Sequence, residues 1–258
     1  MELVKITENC YFSTPDDKTD RPCLGYIKTN GNIFMIDAGA SENHTRSFLK
    51  LLRDNNLKKP TACIITHSHW DHTFGLSALT MPTYASAKAI NKMEFENKYI
   101  LQLADTIIKN NSTTRSIIYQ SLSNEYKFII DHLRVEYDDD FSEIDLVLPK
   151  NPIREIKTFG EPDAVISAFE FPTSMHSKDA LLILDQRDKV LFAGDALYDN
   201  FNLDKKHNAL WLEDRLPKVQ KMRYVIEKID FDYCVVSHYG VLTREETFDL
   251  IDDTFFTI

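Results

Sequence analysis

In the stretch TACIITHSHWDH, residues 61–72, a short β-branched apolar run stops, and three of the chain's eight histidines and an aspartate follow at once. The run TACII suits a buried strand. Gly75, Leu76, Ala78 and Leu79 suit the start of a short helix, so the polar residues fall on a strand-to-helix loop. Such loops commonly carry ligand or metal sites in sheet proteins. The pattern recurs: VLFAGD ends at Asp195, YCVVSH ends at His238, and His176 lies between two strand-like runs in TSMHSKDALLILD. Singly, each is more often a hydrogen-bonded turn residue; beside residues 67–72 they read as one set.

The spacing has chemical content. Neutral imidazole is the commonest metal donor, and a carboxylate is a hard oxygen donor. Residues two apart in an extended segment point the same way, so His67 and His69 can aim at one point. Asp71 and His72 follow the turn and can aim at a second. Four donors exceed what one catalytic zinc takes from a single loop, which suggests two metals.

Composition narrows the class. A net charge of −10 argues against a nucleic-acid groove, which needs a basic stripe, though a local basic patch would be compatible with it. MELVKITENC has no apolar core behind a basic start, so no signal peptide is expected, and no apolar run is long enough to span a membrane. Cys10, Cys23, Cys63 and Cys234 form no CxxC pair. Cys63 and Cys234 sit in strand-like runs as core thiols, while Cys10 and Cys23 would meet only if their strands pair. Reduced thiols and a cytoplasmic location are the expectation.

Strands are expected at 3–12, 24–29, 32–37 and 61–65, with Asn30-Gly31 as a hairpin turn and a short strand at 83–85. Ser41 is the expected N-cap of a helix over 42–56. Residues 87–135 lack Gly and Pro and carry helical spacing, which predicts two or three helices with a break at Asn110-Asn111-Ser112. Further strands are expected at 144–148, 154–158, 164–171, 180–185, 189–194 and 233–236, with a turn at Asp188-Lys189. Helices are expected at 212–229 and from 243. Interleaved strands and helices predict layered α/β packing.

HSHWDH resembles the HxHxDH motif of the metallo-β-lactamase superfamily. IDAG at 36–39, His176, FAGDALY and SHYG follow in that family's order, so the resemblance spans residues 33–240. It implies a four-layer αββα sandwich of two mixed β-sheets, a single domain over 1–258 with a helical insertion at about 87–135. It also implies a dinuclear metal site at one sheet edge. Carried over by position, His67, His69 and His176 would bind one ion. Asp71, His72 and His238 would bind the second, Asp195 would bridge both, and Asp37 would orient a ligand by hydrogen bond. The donor set favours Zn²⁺, with Fe²⁺ and Mn²⁺ as alternatives. Two ions about 3.5–4 Å apart can hold a hydroxide for attack on a carbonyl or phosphoryl group, with Asp71 moving the proton.

The leading expectation is a zinc-dependent hydrolase of a small ester, lactone, thioester or phosphoester. An iron-dependent thiol dioxygenase-like oxidoreductase, a nuclease and a non-catalytic binding module are the alternatives. His69 disfavours the diiron electron-transfer type, whose loop resembles HxExD. Where many members carry Pro-Gly around the third histidine, this chain has Ser174-Met175 and Lys178-Asp179, which weakens analogy with glyoxalase-like thioesterases. No Cys occupies a ligand position, which disfavours antibiotic cleavage. The insertion is read either as a packing or homodimer surface or as a cap with Phe95, Tyr99, Tyr119 and Tyr126 toward the cleft. Trp70, Tyr198, His207 and Tyr239 are candidates to line the site. His44 and His132 are read as structural residues far from any motif.

Overall fold

The computed structural model describes residues 1–110, 112–142, 144–160, 165–198 and 209–255. The first sheet begins with β1 (Leu3–Lys5), β2 (Cys10–Ser13), β3 (Gly25–Lys28) and β4 (Ile33–Ile36), paired antiparallel in sequence order. It continues in parallel through β5 (Ala62–Ile64), β6 (Thr83–Ser86) and β7 (Asn151–Ile153). The second sheet runs in the order β13 (Gly240–Thr243), β12 (Tyr233–Val236), β11 (Val190–Gly194), β10 (Leu181–Asp185), β9 (Ile166–Glu170), β8 (Ile156–Phe159). Its only parallel pair among the described residues is β11–β12.

The period of two along each strand explains why the sheets stack. In β11, Val190 and Phe192 enter a core shared with Phe34, Ile36 and Ile64 of the first sheet, while Leu191 and Ala193 face the other way. In β4, Phe34 and Ile36 join that central core while Ile33 and Met35 turn outward. Each outward face is then covered by helices. Phe48 and Leu52 of α1 (Glu42–Asp54) and Ala89 and Met93 of α3 (Ala87–Lys109) cover the first sheet. Val219, Met222 and Ile226 of α6 (Ala209–Glu227) and Ile251 of α7 (Arg244–Phe255) cover the second. Strands buried on both faces read as continuous apolar runs, as β10 and β11 do. The result is an αββα sandwich with two mixed sheets, as the sequence implied.

Ser41 caps α1, accepting from His44 N at 3.0 Å. The expected strand 3–12 is two strands, because Ile6 N and Thr7 N both bond Cys10 O in a tight turn. Residues 144–148 form no strand; Val147 and Leu148 pack on the outer core while Asn151–Ile153 pairs with β6. Apolar alternation there signals burial and not a ladder. β13 has no counterpart among the sequence-based expectations, and Asp185 to Val190 is bridged by a longer turn than Asp188-Lys189 alone. All four cysteines are buried and free; Cys10 pairs across β2–β3 with Ile27, not with Cys23.

The Gly- and Pro-free stretch forms α3, α4 (Ser112–Ser121) and α5 (Asn124–Glu136), with the break near 110–112. Their apolar faces meet one another through Ala104, Ile107 and Ile130, and meet the sandwich through Ile100 and Leu133, which pack with Ala40, Trp70 and Phe74. A buried ion pair fastens the end of α5: Arg21 donates to both Glu136 oxygens at 2.8 and 2.9 Å, and Ser41 also bonds Glu136.

Candidate metal centre

The donors sit where strands end. Asp37 follows β4, His67 and His69 follow β5, and Asp71 and His72 lie in the short helix α2 (Trp70–Thr73). Asp195 follows β11, His238 lies between β12 and β13, and His176 lies between β9 and β10. Because β4–β5 and β11–β12 are parallel pairs, their carboxyl ends lie on one edge of each sheet. The sheets close on each other there. A Cβ on Gly194, whose φ is +57°, would lie 2.6 Å from Thr66 Oγ1, so only glycine permits this approach.

Two groups of donor atoms result. One atom each from His67, His69, His176 and Asp195 lie within 4.8 Å of one another, and so do atoms from Asp71, His72, Asp195 and His238. Asp195 belongs to both. Its Oδ2 lies 3.3 Å from His72 Nε2, 3.4 Å from His176 Nε2, 3.6 Å from His238 Nε2 and 3.8 Å from His67 Nε2. His69 Nδ1 and His176 Nε2 are 3.0 Å apart, and Asp71 Oδ2 lies 3.1 Å from His72 Nε2 and 3.3 Å from His238 Nε2.

The donor set fits divalent ions. Among the described residues, the buried atoms His67 Nε2, His72 Nε2 and Asp195 Oδ1 have no hydrogen-bond partner, an arrangement normally costly in an interior. Burial and neighbouring imidazoles hold His67 well below its usual pKa, and burial with His176 lowers His69 to about 3, so both stay neutral donors. Burial alone would lower His72 and His238, but Asp71 and Asp195 overcome it and raise both. The same imidazoles overcome burial at Asp195 and Asp71 and keep both carboxylates ionised.

The supporting residues are as ordered as the donors. Asp37 Oδ2 lies 2.8 Å from His72 Nδ1, and its carboxylate accepts from Thr66 N at 2.7 Å and from Thr66 Oγ1 at 2.8 Å. Sequence reasoning missed Asp179. It accepts from Ser68 N at 2.8 Å, between His67 and His69, and from Lys92 Nζ at 3.5 Å. It thereby ties the first histidine loop to the His176 loop and to α3; its place three residues after His176 was the available signal. Asp20 was also missed. It lines the cleft with its Oδ1 3.7 Å from His238 Nδ1, and burial together with Asp71 pushes its pKa to about 8. No local motif marks it.

A cleft of about 500 Å³ opens over the donors and is lined in part by α3 and α5. Trp70 lines it and also packs on Phe74, while Tyr198 lines it with its ring against His176, His238 and Tyr239. Tyr126 lines it; Tyr99 stacks edge-on against Tyr126 from outside, Phe95 is exposed, and Tyr119 turns away to bond Asp131. Tyr239 is half-exposed and stacks on Tyr198. His207 lies outside the described residues. His132 is exposed. His44 is buried against Gly39 and accepts from Ala40 N, so it lies beside the site turn and not far from it.

A sequence model of the Metallo-beta-lactamase superfamily matches residues 24–84. No curated protein sequence matches the chain. Among solved structures, a metallo-beta-lactamase from Pontibacter korlensis is 15% identical with a TM-score of 0.62, covering 99% of each chain. One from Erythrobacter litoralis is 14% identical with a TM-score of 0.60, covering 97% of this chain and 94% of that one. One from Hirschia baltica is 14% identical with a TM-score of 0.59, covering 100% and 99%. At these identities the likeness is one of fold.

Proposed function

This chain stands with the metallo-β-lactamase superfamily by its fold and by the sequence of residues 24–84, and from that premise we propose that it is a binuclear metal-dependent hydrolase. The substrate class is a small ester, lactone, thioester or phosphoester. The observation that carries the reading is the pair of four-donor groups sharing Asp195.

In this reading His67, His69 and His176 would hold one ion and Asp71, His72 and His238 the other, with Asp195 common to both donor groups. Zinc suits neutral imidazoles and carboxylates best; iron and manganese suit them less specifically. When bound, such a pair supplies Lewis acidity and an acidified water. The chain supplies the rest. Asp37 fixes the ring plane of His72, and Asp179 fixes the backbone between His67 and His69. Asp71 stays ionised and can accept a proton at Oδ2 and pass it to a leaving group. Tyr198 is buried beside Asp195, which together with burial keeps its phenol protonated, and its hydroxyl is the chain's candidate to donate to a substrate oxygen as charge develops there. Trp70 and the α3–α5 helices restrict water over the donors.

The test is elemental analysis of protein purified without added metal, beside His69→Ala. About two zinc ions per chain, with loss of one or both in the variant, and hydrolysis of at least one ester, lactone, thioester or phosphodiester are expected. One iron per chain with thiol oxidation would replace this reading with a dioxygenase. Failure of either protein to take up metal would end it.

A further inference from the structure

The walls of the cleft differ in character from its floor. Trp70, Ile100, Tyr126 and Ile129 all line it, and the same four belong to one packed apolar cluster. The strip begins at Trp70, whose sequence neighbours His69 and Asp71 are donors, and passes onto α3 and α5. Phe128 lines the cleft while 37% exposed, and Tyr99, 51% exposed and edge-on to Tyr126, carries the strip onto the surface. An apolar path therefore leads from the reacting centre out to solvent.

Among the described residues, the charges along that path are the wrong sign for an anionic arm. Among the described lining residues outside the donor groups, Asp20, Glu96 and Glu125 are acidic and Lys92 is the single lysine or arginine. Lys92 is already engaged, 3.4 Å from Glu96 and 3.5 Å from Asp179. Away from the metal centre, an arm ending in a carboxylate or phosphate would find no uncommitted cation among these residues to pair with, and unpaired burial of charge is costly.

We propose that the cleft takes esters, lactones, thioesters or phosphoesters bearing an uncharged apolar arm, an alkyl or aryl group held between α3 and α5. This rests on the hydrolase reading and narrows its substrate class. The insertion is thereby the element that selects substrate. Each methylene of the arm taken out of water strengthens binding about fourfold, so several buried methylenes dominate selectivity.

The test separates arm binding from turnover. Calorimetric titration of metal-loaded protein with N-octylacetamide, N-ethylacetamide and 8-acetamidooctanoate compares a long arm, a short arm and a long arm ending in a carboxylate. The octyl amide is expected to bind at least tenfold tighter than the other two. Phe128→Ser and Ile129→Ser are expected to reduce the octyl-to-ethyl ratio below threefold. Phe128 is partly exposed, so its replacement leaves the fold intact, as circular dichroism would verify. A ratio near one, a carboxylate-ended arm that binds as tightly, or a ratio unmoved in both variants would overturn the proposal. Failure of the hydrolase reading looks different: the octyl preference persists while no ester is turned over.

Discussion

Asp37 and His72 lie on different elements, yet Asp37 Oδ2 is 2.8 Å from His72 Nδ1 while Thr66 N donates to Asp37 Oδ1 at 2.7 Å. One carboxylate thus fixes a donor ring and the end of β5 together. Asp37 itself has a φ of +61°, a conformation that Asp tolerates better than most residues. Replacing it by Ala frees the ring of His72. Affinity for the second ion should fall 10- to 100-fold in a chelator-competition titration, with the first ion held as before. An affinity for the second ion unchanged by Asp37→Ala would show that His72 is oriented by something else.

Gly75 faces the same turn from below. A Cβ there would run into Ala38 O and Thr45 Oγ1, both on backbone or short side chains with no room to yield. Gly75→Ala should cost about 2–3 kcal/mol in urea denaturation and weaken metal retention, because Gly75 N also bonds Gly39 O at 3.0 Å. A loss within about 0.5 kcal/mol would mean the turn relaxes freely.

His44 gives the pH dependence a definite sign. Burial, aided by the positive charge of Arg21, lowers it from 6.5 to about 3. Below pH 6.5 the unfolded chain takes up a proton that the folded chain refuses, so stability falls as pH drops from 6.5 toward 3. At pH 5 this one group accounts for roughly 2 kcal/mol relative to pH 7. Asn can still accept from Ala40 N and does not titrate. The drop in unfolding free energy between pH 7 and 5 should therefore be about 2 kcal/mol smaller in His44→Asn. Parallel pH profiles would assign the acid sensitivity to other groups.

Arg21 and Glu136 join the N-terminal loop to the last insertion helix, and the Glu136 side chain is fully buried. Arg21→Ala leaves that carboxylate unpaired and should destabilise by about 3 kcal/mol in chemical denaturation. Adding Glu136→Gln should recover part of the loss, because the uncompensated charge disappears. No recovery in the double variant would show that lost packing, and not charge, is the cause.

The legibility of this chain in its sequence divides along a physical line. Continuous apolar runs such as LLILD and VLFAG named their strands because apolarity and branching are local properties. The same signal misled at 144–148, where burial came without a partner strand to bond. The candidate donors were readable because each stands at the abrupt end of an apolar run. Asp20 was not, since nothing within a few residues distinguishes it from an ordinary loop acid, and Asp179 had only its place three residues after His176 to mark it.

The sequence alone determined the elements, their order and the chemistry available at their ends, all of which depend on neighbours a few residues apart. Tertiary structure decided which ends meet. His176 comes within 3.0 Å of His69 because the two sheets stack on alternate faces, and Asp195 sits between both donor groups because Gly194 lets the sheets close. It also decided that α3 and α5 lean over the donors, through the packing of Ile100 and Leu133 on Trp70 and Phe74. Such contacts follow from shape and volume across the whole core, which no short window of residues encodes.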